Sequence, residues 1–193
     1  MKTKRRGKAM KRHERFSDKL RELILYVAQK SVDDPNWGAT KLNKILFEAD
    51  RLAHIRLGHS ITGKAYQKLI GGPAPRALLP VQTNMIATGD IIIEPRPMAG
   101  YAHPQRRLIA KRDPRNVFSA AEKAVIDDAI RILWPLTGKQ ASDRSHRFLA
   151  WRCVDYGETI PFEALLVHRP SEVTPAILEY AKGLIPVAKK LAG

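Results

Sequence analysis

The sequence is poor in the residues that staple a chain or anchor it in a membrane. Its 193 residues contain one cysteine, Cys153. An intrachain disulfide is therefore impossible, and a zinc site built on several cysteines is excluded. Such usage suits a reducing compartment. No apolar run approaches the roughly 18 residues that a membrane-spanning helix needs. The basic N-terminus is followed by a short apolar stretch, 23–28, and then Lys30, too little for the core of a signal peptide. The expectation is a soluble cytoplasmic protein with no membrane contact. Aromatic residues make up only 7% of the chain. None is interleaved with the basic runs described below, which argues against a stacking platform for single-stranded nucleic acid.

What the sequence does have is positive charge. Lys and Arg number 34 against 19 Asp and Glu, a formal net charge of +15. Such a balance favours an acidic partner and says nothing about fold. The excess is clustered. Residues 1–15 hold eight Lys and Arg, among them Lys4, Arg5, Arg6 and Lys8, against the single Glu14. No apolar period runs through them, so they read as an arm. A second cluster, with Arg96, Arg106, Arg107, Lys111, Arg112 and Arg115, flanks an expected hairpin. Contact with nucleic-acid phosphates is one reading of both clusters, through Lys4, Arg5, Arg6, Lys8, Arg106 and Arg107. A solubilising tail and a charged hairpin edge that resists aggregation is the other.

The hydrophobic fraction of 44% supplies a core. Helical periodicity places a first helix at 18–30, capped by Ser17, and a second after Thr40. In the second, Leu42, Ile45, Leu46, Ala49, Leu52 and Ala53 form one face, and Lys41, Lys44, Glu48 and Arg51 form a polar face. Gly63, Gly71, Gly72, Pro73 and Pro75 are turn residues, around a short extended piece at 65–70. A short helix over 76–88 precedes two strands, near 91–93 and 107–110. Ser119-x-x-Glu122 is a capping box. The helix behind it is expected to bury Val125, Ile126, Ala129, Ile130, Leu133 and Trp134. Ser142 reads as the cap of a helix reaching Trp151, and residues 172–183 as a last helix that Pro186 limits. The expected fold is α+β and mostly helical: one domain of about six or seven helices with a small antiparallel hairpin or sheet. Its divisions are a basic arm at 1–15, a globular domain at 16–185 and a tail at 186–193.

Chemistry-bearing motifs are weak. Asp50 and His54 share a helical face but lack a third convergent ligand, and no H-E-x-x-H occurs. They read as a surface pair. Ser142, Asp143, Ser145 and His146 cluster on one helix, whereas a triad is defined in space. Gly71-Gly72-Pro73 lacks the strand-to-helix context of a phosphate loop. His146 and Trp151 are about 140° apart on a continuous helix and can share a ligand only if the helix ends between them. No catalytic residue, metal or cofactor is assigned. A hydrolase with an unrecognised site around His54 or His146 is the enzyme alternative.

Several segments together resemble one family. Thr40-Lys41-Leu42-Asn43-Lys44-Ile45-Leu46-Phe47-Glu48-Ala49-Asp50 is similar to the K-L-x-K-L-L-Y-x-A segment of Panacea domains, also called SocA-like antitoxin or phage-associated domains. Gly58-His59-Ser60-Ile61-Thr62-Gly63 resembles their G-x-P-I-T-G element. Tyr66 to Leu69 with Gly72-Pro73-Ala74-Pro75-Arg76 resembles Y-x-x-L-x-x-G-P-V-P-R. Ser142 to His146 with Trp151 resembles S-x-x-T-H-x-x-x-x-W, and Ile160-Pro161-Phe162-Glu163 fits the segment that follows. The resemblance spans about residues 38–166. Gly71, Ala74 and Ser145 depart from the usual tyrosine, valine and threonine.

The resemblance implies an antitoxin that neutralises a cognate protein toxin by direct binding. In one branch the antitoxin is an adaptor that hands its toxin to protease machinery. It implies no enzymatic activity. Lys41, Lys44, Glu48, Arg51, Arg76, His146 and Trp151 are the candidate partner-binding residues, as exposed cations beside a large aromatic.

Overall fold

Helix α2 (Ala39–Leu57) is the axis of the structure, a computed structural model that describes residues 19–97, 104–162, 164 and 174–191. The basic arm at 1–15 and Glu163 lie outside the described residues. Helix α1 covers 19–30 and buries Leu20, Leu23, Ile24, Leu25, Val27 and Ala28. The turn through Asp34 and Asn36 follows, and the side chain of Asp34 accepts from the Asn36 amide at 2.8 Å.

After α2 come β1 (Tyr66–Leu69), β2 (Gly72–Pro75) and α3 (Leu78–Ala87). Then follow β3 (Ile91–Arg96), β4 (Gln105–Ala110), α4 (Ala120–Leu133) and α5 (Gly138–His146). The one-turn α6 (Leu149–Arg152), β5 (Thr159–Ile160) and α7 (Pro175–Leu191) complete the order. The fold is α+β and mostly helical, as expected, with seven helices among the described residues.

Two small antiparallel sheets accompany the helices, one in the order β2-β1-β5 and the other β3-β4. In the first, Leu69 pairs with Gly72, so Ile70 and Gly71 form a two-residue tip. Gly72 and Pro73, read from sequence as a rigid turn, thus open a strand. Proline is tolerated there because β2 is an edge strand.

Two apolar clusters meet at α2. The larger joins α1, Trp37, Leu42, Ile45, Leu46, Ala49, Leu52, Ile91, Leu108 and the apolar face of α4. The smaller gathers Phe47, Tyr66, Phe148, Ala150, Val154 and Ile160. With one cluster on each side, α2 is covered nearly all round.

The capping box of α4 is present: Ser119 Oγ accepts from the Glu122 amide, and Glu122 from the Ser119 amide. Four details correct the sequence reading. Trp134 is 38% exposed, because α4 ends at Leu133 and the indole falls beyond the apolar face. Helix α5 is capped by Thr137, through a second box with Gln140. Ser142 therefore sits inside α5, where its hydroxyl donates to Gly71 O at 2.5 Å. Helix α7 continues through Pro186, which lies on an exposed face where water can take the carbonyl that proline frees.

Within the basic hairpin cluster, Arg107, Arg112 and Arg115 have partners in the fold. Arg107 is buried, and its guanidinium donates to Asp34 O at 3.1 Å and Val32 O at 2.7 Å. Arg112 bridges Glu22 and Asp90, and Arg115 approaches Glu22 at 3.6 Å. Arg107 and Arg112 tie the β3-β4 hairpin to α1 and to the turn after it. Arg106 is exposed. Replacing Arg107 with Ala removes a buried side chain together with its bonds to Val32 O and to Asp34 O, which keeps the Trp37 amide as a donor, and should cost about 1–3 kcal/mol, whereas Arg106→Ala should change stability by less than about 0.5 kcal/mol. Urea unfolding of both variants checks this.

Candidate functional site

Five charged side chains of α2 are buried: Lys41 (1% exposed), Lys44 (4%), Glu48 (2%), Asp50 (0%) and Arg51 (6%). The helix was read as having one wet face, but that face is covered by β2, α4 and α5. A buried charge is tolerated only when paired and hydrogen-bonded. The partners therefore explain much of the surrounding structure.

Lys41 Nζ lies 2.5 Å from Asp34 Oδ2, in a pair with almost no solvent access, and also donates to Trp134 O at 2.8 Å. Glu48 takes both forks of Arg51, at 3.0 and 2.7 Å, and one donor from Arg144 at 3.0 Å. Burial alone would raise the Glu48 pKa. The hydrogen bonds and charges of the two arginines outweigh it and hold the carboxyl below its ordinary value. Arg51 also lies over the Phe148 ring, 4.9 Å from its centroid.

Asp50 does not pair with His54. Its carboxylate accepts from the Thr62 amide at 2.8 Å, from the Thr62 hydroxyl and from Tyr66 Oη at 2.8 Å. Burial nevertheless keeps its pKa raised. The network pins the 58–63 loop onto the strand that follows. His54 instead packs edge-on against Phe162. Among the described residues, no three His, Cys, Asp or Glu side chains gather as metal ligands.

Lys44 is the exception. Among the described residues its only hydrogen-bond acceptor is Pro73 O at 3.4 Å, long for such a bond. Burial lowers its pKa to about 7. It lies against Gly72, whose φ is +100°. A Cβ at that position would come within 2.5 Å of Ser145 Oγ and 2.7 Å of Lys44 Cε. Glycine is thus required twice, by backbone conformation and by close approach. Ser145 is itself buried and donates to Ser142 O at 2.7 Å.

His146 and Trp151 do come together, because α5 ends at His146 and a new turn starts at Leu149. Their rings stack with centroids 4.1 Å apart. Lys68 Nζ sits 4.3 Å from the Trp151 centroid and 5.0 Å from that of Tyr156. His146 Nε2 and Trp151 Nε1 are buried with no hydrogen-bond partner among the described residues. Desolvation and the nearby charge of Lys44 lower the His146 pKa. Arg76 stands apart, exposed and holding Gly157 O, Thr159 and Gln67 of the three-stranded sheet. Sequence reasoning missed Arg144 and Asp34. A buried Glu48 and Lys41 would have demanded such partners, had their burial been foreseen.

These elements define a mostly helical α+β domain organised around one buried, charged helix, with its motif residues gathered along α2, the β1-β2 hairpin and the α5-α6 corner. Residues 42–152, more than half of the chain, match the family model described as "Antitoxin SocA-like, Panacea domain". The chain belongs to that family. Neither a curated protein nor a solved structure matches it. No helix among the described residues is long and apolar enough to cross a membrane.

Two outcomes follow from the geometry. Lys44 binds its proton more weakly folded than unfolded, so stability should rise with pH from about 7 towards 9, where the unfolded chain carries the extra proton. Lys44→Met should remove that rise and stabilise the fold at pH 7 by an amount on the order of a few kcal/mol. Thermal unfolding of both proteins across this range measures it. Gly72→Ala should destabilise by about 2–4 kcal/mol through combined strain and overpacking, read by the same method.

Proposed function

We propose that this chain is an antitoxin that neutralises a protein toxin by binding it directly. Its membership of the SocA-like Panacea family carries this reading. The surface chemistry supports it. At the corner formed by the β1-β2 tip and α6, Ile70 is 82% exposed and Tyr156 64% exposed. They flank Lys68 and the His146–Trp151 stack. Large apolar and aromatic side chains beside a cation are the composition of a binding hot spot.

Among the earlier candidates, His146 and Trp151 belong to this corner, with Arg76 on the neighbouring sheet. Lys41, Glu48 and Arg51 act from inside, by holding α2 in place. Neutralisation then requires a stable interface, of about 1,200–2,000 Å² in total. Handing the bound toxin to a protease would add a shortened toxin lifetime to the same binding step.

The test is co-expression with a neighbouring reading frame that is toxic alone. The expected result is restored growth and co-purification of the two chains. Ile70→Asp should fold normally and weaken the complex by tenfold or more. A toxic neighbour that this chain neither restrains nor binds would contradict the proposal.

A further inference from the structure

Helix α7 has two apolar faces. Leu178, Ala181 and Ile185 are half-buried, and Ile185 packs against the cluster of Phe47, Tyr66 and Phe148. This inner face holds the helix on the body of the protein. The outer face is a second stripe, in which Ile177 is 46% exposed, Tyr180 71%, Leu184 45% and Val187 52%. Successive members of that stripe are three, four and three residues apart, the spacing of a coiled-coil seam. The helix already docks through its inner face, so the outer stripe has no role within one chain.

Three features of the stripe point to a second copy of the chain. Its spacing reads the same in both directions. Two α7 helices laid antiparallel therefore match seam to seam, with Ile177 of one copy opposite Val187 of the other and Tyr180 opposite Leu184. A twofold contact needs this kind of self-complementarity. Gly183 lies in mid-helix beside the seam, level with the centre of such a pair. A Cβ there would meet nothing within 4 Å, so packing within one chain does not explain a residue that weakens a helix. A glycine at the crossing point lets a second backbone approach closely. Lys189 and Lys190 carry the charge of the last turn. Antiparallel pairing sets the two pairs of lysines at opposite ends of the contact, toward the end of the other helix that carries Glu179. Parallel pairing would set like charges side by side, which is unfavourable.

We propose that this chain forms a homodimer through an antiparallel pair of α7 helices. The stripe leaves on the order of 400 Å² of largely apolar surface in water on each copy. Pairing two stripes buries about 800 Å², and the exposed flanks at Ala176, Gly183 and Lys190 bring the total near the ~1,200 Å² at which specific interfaces begin. The contact is therefore modest in size. The formal charge of +15 on each chain opposes it over a longer range. A dissociation constant on the order of 10 μM follows, and the pair tightens as salt screens the two chains. The dimer does not depend on the toxin-binding reading, because Ile70 and Tyr156 take no part in the α7 stripe.

Sedimentation velocity of the full chain, over about 1–300 μM and at about 50 and 300 mM salt, tests the proposal. The expected result is a reversible monomer–dimer equilibrium that strengthens at the higher salt. Tyr180→Glu, at an exposed position, should weaken it by about tenfold or more. Val187→Glu should do the same, and serves if circular dichroism shows that the first variant has lost helix. Ile70→Asp, in the toxin-binding corner, should leave the equilibrium unchanged, so this test and that of neutralisation are read independently. In a Cys153→Ala background, Gly183→Cys should form a disulfide between copies on oxidation, because antiparallel pairing brings the two positions together. Ala176→Cys, near one end of each helix, should not. A chain that stays monomeric throughout, or a dimer that Tyr180→Glu and Val187→Glu leave intact, overturns the proposal. So does a dimer that cross-links through Ala176→Cys, or fails to do so through Gly183→Cys. A monomer whose toxin complex is weakened by Tyr180→Glu would also overturn it and assign the stripe to the toxin.

Discussion

A helix enclosed on nearly every side cannot carry unpaired charge without cost, and α2 buries five charged residues. That constraint dictates what surrounds it. Asp34 must sit at the end of the first turn to meet Lys41. Arg144 must reach across from α5 to Glu48. Thr62 and Tyr66 must close on Asp50. Each partner comes from a different element, so the charges fix the approach of the 31–37 turn, the β1-β2 hairpin and α5 more specifically than apolar contact alone could. Buried pairs of this kind add little net stability compared with apolar replacements, but removing one partner is costly.

Apolar periodicity and capping were readable from local sequence. Leu42, Ile45, Leu46 and Ala49 announce the inner face of α2, and Ser119-x-x-Glu122 marks the start of α4. The other face of α2 was misread for a physical reason. Period alone places charged residues in water, and the groups that cover them are distant in the chain; Arg144 is 96 residues from Glu48. The second capping box, Thr137-x-x-Gln140, carries the same local signature as the first and starts α5 five residues ahead of Ser142. The end of α5 at His146 was the condition for the His146–Trp151 stack, and it depends on the Phe148 turn packing into the smaller cluster.

The family motif gains a physical meaning in this setting. Its first lysine, Lys41, is framework through Asp34, its Gly-Pro element is the strand that approaches Lys44, and its Ser and His on α5 lie on the other side of that approach. The proposed contact surface then rests on side chains around this frame, Ile70, Tyr156 and Trp151, which the frame holds in one geometry. A rigid support lowers the entropy that binding must otherwise overcome.

A double-mutant cycle on Asp34 and Lys41 tests the account most directly, using Asp34→Leu, Lys41→Met and the pair together. With a framework role, Asp34→Leu alone is severely destabilising, by about 3–5 kcal/mol. The double variant regains most of that loss, giving a coupling of at least about 2 kcal/mol. Additive effects, each under about 0.5 kcal/mol as for solvent-exposed charges, would contradict it.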